Sequence, residues 1–123
     1  MNRLQLEKFI FDNYSVKPDY PFGKYPSYAV FRNEKNKWFA VIMTIDKSKL
    51  CPAECGEIDV VNLKCDGLEV LSFKQEKGVY PAYHMNKNHW ITVELDVAHD
   101  DFIKMLVDVS YNLVDKKRKS TTK

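Results

Sequence analysis

The stretch Trp38-Phe-Ala-Val-Ile-Met-Thr-Ile-Asp46 decides the fold class of this chain. In an extended backbone, alternate side chains share a face, so one face of this stretch carries Phe39, Val41, Met43 and Ile45. The other face carries Trp38, Ala40, Ile42 and Thr44. Because neither face is plainly polar, the pattern predicts an internal β-strand that is covered on both sides.

Further strands are predicted on either side of this one. The polar run 33–37 separates it from a strand at Tyr28–Arg32, which is typical of a hairpin. Downstream, Gly56 ends a loop and Ile58–Lys64 forms a third strand. Two more strands are predicted at Tyr83–Met85 and His89–Asp96, and in the last of these Ile91, Val93 and Leu95 point inward while Trp90, Thr92 and Glu94 point outward or cover an edge.

Three helices are predicted from their caps and their apolar spacing. Asn2 and Gln5 can form a capping box ahead of a helix at Arg3–Tyr14, whose inward stripe is Leu6, Phe9, Ile10 and Tyr14. Asp66 and Glu69 indicate the start of a short helix that Gly78 can stop. Asp100 opens a C-terminal helix with the predicted inward stripe Phe102, Met105, Leu106, Val109 and Leu113.

This order of elements predicts an α+β fold, a two-layer sandwich with a mostly antiparallel sheet and both terminal helices packed on one face. The alternating βα order of a nucleotide-binding parallel sheet is missing, and the four glycines are isolated, so no phosphate-binding glycine loop is present. With 123 residues, of which 45% are apolar, we expect one domain over residues 1–115 and a basic, frayed tail over 116–123.

The charge of the chain is unevenly distributed. The net charge is +2, yet residues 1–115 hold 14 basic and 17 acidic residues, a net charge of −3. A broad nucleic-acid-binding surface is therefore excluded, and any contact with DNA must come from a local patch or from the tail residues Lys116, Lys117, Arg118 and Lys119. No run of 18 apolar residues and no secretory leader occurs, so we expect a cytoplasmic protein that does not bind membranes.

The cysteines and the remaining nucleophiles give little support to catalysis. Cys51, Cys55 and Cys65 are an odd number, which favours free thiols, and the four-residue spacing of Cys51 and Cys55 is only a weak metal-binding pattern. No serine or cysteine lies in a sharp glycine-flanked turn. We therefore expect a protein that is not an enzyme and holds neither a metal ion nor a cofactor.

The densest polar cluster is the segment 83–90, and it provides the candidate binding residues. Those expected to contact a nucleic acid or another anion are Tyr83, His84, Asn86, Lys87, His89 and Trp90. His84 and His89 point to opposite faces of an extended chain, which disfavours a shared metal ion. Lys87 and its amide neighbours can instead hold a phosphate. The alternative is a polar turn whose side chains cap backbone groups before the next strand.

A second function stays open beside weak, salt-dependent DNA binding. The loop 20–28 carries Tyr20, Phe22 and Tyr25 between prolines, so it is expected to fold back on the domain. Together with the cluster 83–90 it could form one concave surface for a protein partner or a small ligand. That hypothesis predicts a pocket or an apolar patch beside His84.

Three stretches resemble the MmcQ/YjbR family of small bacterial proteins, which is similar in fold to the bacterial frataxins. They are Tyr20-Pro-Phe-Gly23 with Val30-Phe31 and Lys37-Trp-Phe-Ala40, then Asp59-Val-Val-Asn-Leu-Lys-Cys-Asp66, and Gly78-Val-Tyr-Pro-Ala-Tyr-His-Met-Asn-Lys-Asn-His-Trp-Ile-Thr-Val93. The resemblance extends to about Asp115 and implies an α+β domain with frataxin-like layers, often described as DNA-binding.

The resemblance assigns no catalytic residue, and it does not bring iron with it. Iron binding in frataxins relies on an acidic ridge on the first helix, where this chain has only Glu7 and Asp12. The chain departs from the family at Cys51–Cys55 and in the basic tail. Those two places are therefore not expected to carry a function shared with the family, and the residues that match it are Tyr83, His84, Asn86, Lys87, His89 and Trp90.

Overall fold

The computed structural model describes residues 1–116, and five strands and three helices form its framework. The strands are β1 Ala29–Arg32, β2 Trp38–Asp46, β3 Glu57–Lys64, β4 Val79–Pro81 and β5 Trp90–Glu94. The helices are α1 Arg3–Tyr14, α2 Gly67–Phe73 and α3 Asp100–Lys116, with a short 3-10 turn at Lys47–Lys49. The strands form one sheet in the order β1-β2-β3-β5-β4, and every pairing is antiparallel.

The helices cover one face of this sheet, which confirms the predicted α+β sandwich. Leu6 and Ile10 of α1 and Ile103 and Leu106 of α3 pack against apolar side chains of β1, β2, β3 and β5. Burial of this apolar surface is the main term that holds the layers together. We call the side of the sheet that faces away from α1 and α3 the second face.

The predicted helix caps are present. The side chain of Asn2 accepts a hydrogen bond from the backbone N–H of Gln5, and the side chain of Gln5 accepts one from Asn2 in return. Asp66 and Glu69 form the same reciprocal pair at the start of α2. Each cap satisfies backbone donors that a helix start otherwise leaves without a partner.

The alternation predicted for β2 holds from Ala40 onward and is wrong before it. The pairing of β1 with β2 is irregular here: Phe31 lies opposite Ala40 while Arg32 lies opposite Trp38, so Phe39 is an extra residue on β2. Phe39 therefore joins Ala40 in the core beneath the helices, and Trp38 packs on the second face. A β-bulge of this kind cannot be derived from a two-residue repeat.

Two predicted strands are corrected by the structure. Segment 83–85 is not a strand. The fourth strand, β4, lies just before it at Val79–Pro81. The last strand is shorter than expected, and Trp90, Thr92 and Glu94 are buried rather than exposed at an edge. β5 lies between β3 and β4, so it has no free edge.

The buried carboxylate of Glu94 is paired on the second face. It accepts a hydrogen bond from the Tyr80 hydroxyl at 2.9 Å, and the Lys47 ammonium lies 3.3 Å from it. A buried charge of this kind requires such partners.

The predicted stripe of α3 is displaced around the helix. Met105 is exposed, whereas Ile103, Val107, Ser110 and Val114 are buried together with Leu106. Ser110 tolerates this position because its hydroxyl donates to the backbone carbonyl of Lys64. The small polar residue made the true stripe look discontinuous in the sequence.

Two further expectations concern the tail and membranes. Of the predicted tail, Lys116 is the last residue of α3, while Lys117, Arg118 and Lys119 lie outside the described residues. Among residues 1–116, no helix has the length and apolar character needed to cross a bilayer.

We predict that Gly78→Ala destabilises the fold by about 2 kcal/mol or more. Gly78 has a φ of +85°, and a Cβ there would lie 2.9 Å from the backbone nitrogen of Ala98. Gly23→Ala is the matched control, because no heavy atom lies within 4 Å of its Cβ position. Urea unfolding of both variants checks the prediction, and equal midpoints would contradict it.

Candidate functional site

A cavity of about 300 Å³ lies on the second face, between the loop 20–28 and the segment 83–85. We call it the aromatic pocket. Its lining is almost entirely apolar or aromatic and consists of Phe22, Tyr25, Tyr28, Trp38, Val41, Met43, Asn62, Tyr83, His84 and Met85. The loop 20–28 and the first three residues of the cluster 83–90 therefore border a cavity beside His84, while the rest of that cluster does not line it.

The sheet supplies the floor of the aromatic pocket. Val41 and Met43 of β2 and Asn62 of β3 are all buried there. Alternate residues of β2 point to the second face beyond the bulge, which explains why Val41 and Met43 lie side by side on it. The floor is thus built on the rigid part of the domain.

Aromatic rings form the walls, and they meet at steep angles. The ring of Phe22 is nearly perpendicular to that of Trp38, at 82°, and to that of Tyr28, at 76°, with centroids 5.8 and 6.0 Å apart. At the rim, Tyr25 and His84 meet at 86°. Edge-to-face contacts of this kind fix the rings against one another.

The loop that carries three of these rings is tied to β1. Arg32 donates two hydrogen bonds to the carboxylate of Asp19, at 3.0 and 2.8 Å, and the backbones of Asp19 and Val30 pair across a bridge. Two backbone turns follow within the loop, from Phe22 to Tyr25 and from Tyr25 to Tyr28. These contacts hold the aromatic wall in place before any ligand arrives.

Segment 83–85, across the pocket from the loop 20–28, is bound to the sheet by a buried group of hydrogen bonds. The backbone N–H of Tyr83 donates to the Thr92 hydroxyl oxygen, and the Tyr83 carbonyl accepts from the side-chain amide of Asn62, both at 2.8 Å. The Thr92 hydroxyl in turn donates to the Asn62 carbonyl oxygen. Both backbone groups of Tyr83 are therefore bound to the centre of the sheet.

The six binding residues predicted at 83–90 do not form one surface. Tyr83 and His84 line the aromatic pocket, and His84 has a left-handed backbone with a φ of 63°. Asn86 accepts a hydrogen bond from the Asn88 backbone N–H, and the Lys87 ammonium donates to the Ala82 carbonyl at 2.8 Å. Asn86 and Lys87 thus act within the turn itself, as the alternative interpretation of this segment predicted.

The remaining two residues, His89 and Trp90, line a different cavity of about 500 Å³. We call it the basic groove, and it is lined by Lys37, Trp38, Lys64, Cys65, Asp66, His89, Trp90, Leu113 and Val114. The Lys64 ammonium lies 5.4 Å from the centroid of the buried Trp90 ring, and Asp66 is the cap of α2. The lining therefore contains two lysines and a histidine but only one carboxylate, and that carboxylate already accepts a hydrogen bond at the start of α2.

Several residues that line these cavities are not predicted as site residues from the sequence. The two-residue alternation predicts the wrong face for Trp38 because of the bulge, and the polar run 33–37 predicts only a hairpin turn for Lys37. Asn62 offered a usable signal, since a single amide inside the apolar run of β3 marks a buried polar contact. Its two partners lie 21 and 30 residues away in sequence, so they could not be named in advance.

Burial keeps the Tyr28 hydroxyl and the Cys65 thiol protonated. It raises the pKa of Tyr28 to about 12, and the neighbouring Tyr83 and Tyr25 add to that effect. Burial likewise raises the pKa of the Cys65 thiol to about 12, with Glu69 and Asp66 contributing. Neither group therefore carries a charge at neutral pH.

The thiols and histidines do not gather into a metal site in the described part of the chain. Cys51, Cys55 and Cys65 are free, and Cys65 is buried. Within residues 1–116, no three or more His, Cys, Asp or Glu side chains are grouped so that they could hold a metal ion.

Comparison with known proteins gives consistent matches over nearly the whole chain. The family model described as YjbR matches residues 12–113. The uncharacterized protein YyaQ of Bacillus subtilis (strain 168) is 36% identical over 115 residues, which cover 92% of this chain and 98% of that protein.

Solved structures resemble the fold closely. A crystal structure of a protein from Pseudomonas syringae is 41% identical, covers 92% of this chain and 98% of its own, and has a TM-score of 0.88. The crystal structure of Deinococcus radiodurans protein DR2400, with domain DUF419, is 25% identical with a TM-score of 0.69, and the match covers 91% of this chain and 77% of that one.

We predict that Thr92→Val lowers the free energy of unfolding by about 2 kcal/mol or more, because it leaves the Tyr83 N–H and the Asn62 carbonyl without their partner. Thr92→Ser keeps the hydroxyl and is expected to cost only about 1 kcal/mol for the lost methyl group. Urea unfolding measures both variants. Equal losses for the two would show that the hydroxyl is not what holds segment 83–85.

Proposed function

The chain belongs to the YjbR family, as its three matching stretches predicted, and we propose that it is a binding domain that takes a small ligand into the aromatic pocket. The observation that carries this proposal is the cavity itself, with a buried floor and fixed aromatic walls. Ligand sites are typically concave, mostly apolar and formed before the ligand binds.

The chemistry of the lining supports binding rather than catalysis. Its residues include no Asp, Glu, Lys, Arg or Cys, and its one imidazole, on His84, lies against the rings of Tyr25 and Tyr83. General acid–base catalysis needs a proton donor or acceptor oriented by a second polar group. We therefore propose a domain without enzymatic activity, whose affinity comes from excluding water from aromatic surface.

We predict that xenon enters the aromatic pocket, because apolar cavities of this kind take up apolar atoms. The four methionines provide the measurement and its control, since Met43 and Met85 line the pocket while Met1 and Met105 do not. With methyl-labelled methionine, NMR spectra under xenon pressure should shift the signals of Met43 and Met85 alone.

A filled pocket should remove this response. Val41→Phe places a ring on the floor, and its folding is checked from the amide spectrum of the same sample. Shifts of equal size at all four methionines, or shifts that persist in Val41→Phe, would mean that the pocket is not a binding site.

A second candidate function is weak contact with nucleic acid, and the basic groove favours it. Lys37, Lys64 and His89 line that groove beside two tryptophans, and Leu113 and Val114 bring the end of α3 to it. In sequence, the basic residues Lys117, Arg118 and Lys119 follow directly. Lysines with aromatic neighbours are typical of surfaces that hold phosphates and stacked bases. Lys87 is a poorer candidate because its ammonium is bound to Ala82.

If DNA binds at the basic groove, the double variant Lys37→Ala/Lys64→Ala should weaken binding and reduce the slope of log K against log salt by about 1 to 2. The matched control, Lys8→Ala/Lys104→Ala, removes the same total charge from α1 and from the first part of α3. Fluorescence anisotropy at two salt concentrations, with single-stranded and duplex DNA, makes the comparison. Absence of DNA binding at low salt, or equal losses of affinity in the two double variants, would contradict DNA binding at the basic groove.

A further inference from the structure

We propose that the ligand group held in the aromatic pocket is a methylated ammonium ion, of the trimethylammonium type. This inference rests on the function proposed above and names the chemical class of its ligand. Three properties of the pocket carry it: the angles between its rings, the absence of Asp, Glu, Lys and Arg from its lining, and the prior use of the buried Asn62 side chain.

The ring angles favour a rounded group over a flat one. A planar ligand needs two parallel rings with a gap between them, but the near-parallel pair Tyr25–Tyr28, at 16°, is already in contact with centroids 4.8 Å apart. Tyr83 and His84 are closer still, at 4.0 Å. The other rings meet at 76° and 82° around Phe22 and are also in contact, so the cavity beside them is bordered by ring surfaces in several orientations, which suits a rounded group.

The uncharged aromatic lining disfavours anions and suits a cation. No Lys or Arg side chain lines the pocket, and the raised pKa of Tyr28 keeps its phenol neutral. Aromatic faces carry a negative potential, strongest on tryptophan, which attracts an ammonium ion from which water has been excluded. The nearby Arg32 guanidinium, 5.4 Å from the Trp38 centroid, is itself neutralised by Asp19.

The polar partners separate a methylated ammonium from a primary one. A primary ammonium carries three N–H donors that need acceptors. On the floor, the Asn62 carbonyl oxygen already accepts from Thr92, and its amide nitrogen already donates to Tyr83. The other polar groups of the lining are three tyrosine hydroxyls and the His84 imidazole, and none of them is a carboxylate. A trimethylammonium group has no N–H donor, so it can enter this pocket without leaving a donor unpaired.

The test compares three small molecules by isothermal titration calorimetry: choline, its neutral isostere 3,3-dimethylbutan-1-ol, and ethanolamine, the smaller primary amine that lacks the three methyl groups. We expect choline to bind about tenfold more tightly than either of the others. Equal or tighter binding of the neutral alcohol would overturn the ammonium class. A short peptide that carries trimethyllysine, measured in the same way, distinguishes a protein side chain from a free small molecule as the source.

A matched pair of variants identifies the site of binding. Phe22→Leu keeps apolar bulk but removes a ring from the lining, so choline should bind several-fold more weakly while the neutral alcohol loses less affinity, since it loses only apolar contact. Tyr20→Leu removes an exposed ring of the same loop that does not line the pocket, and it should change neither affinity.

The outcome for xenon separates the two proposals. Xenon shifts at Met43 and Met85 without preferential choline binding would leave the pocket as a ligand site and refute the ammonium class. The loss of both would refute the proposed function itself.

Discussion

The buried hydrogen bonds among Asn62, Thr92 and Tyr83 are the constraint on which the second face depends. Polar side chains in the middle of a sheet destabilise a fold unless they find partners, and here the partners are the two backbone groups of a single residue. Because those groups are fixed, segment 83–85 lies over the sheet instead of extending into solvent. The wall formed by Tyr83, His84 and Met85 follows directly.

The two faces of the sheet are closed by different means, and this explains where a cavity can exist. Helices bury aliphatic side chains such as Leu6, Ile10 and Ile103 against one face. The second face is covered by a loop and a turn, which do not present a regular row of side chains that could interdigitate with those of the sheet, as a helix does. Large rings span the remaining distance, and the space between them becomes the aromatic pocket.

Local rules predicted the framework, and long-range contacts decided the site. Helix caps at Asn2 and Asp66 involve residues three apart, so sequence alone was sufficient for them. The bulge at Phe39 depends on how β1 pairs with β2, and the stripe of α3 depends on the hydroxyl of Ser110 finding a carbonyl 46 residues away. The polar cluster 83–90 is one segment in the sequence, yet the structure divides it between two cavities and a turn. The chain reverses between the antiparallel strands β4 and β5, so Tyr83 and His84 lie at one cavity and His89 and Trp90 at the other.

Trp38 contributes to both cavities, and the bulge beside it is what makes that possible. Had the two-residue alternation continued through Phe39, Trp38 would lie beneath the helices and each cavity would lose a wall. On its present side, one indole borders a pocket without charged side chains and a groove with two lysines. These environments attract opposite charges, because aromatic faces favour cations while the lysines favour anions. A single extra residue in β2 thus places one indole between two cavities whose linings differ in charge.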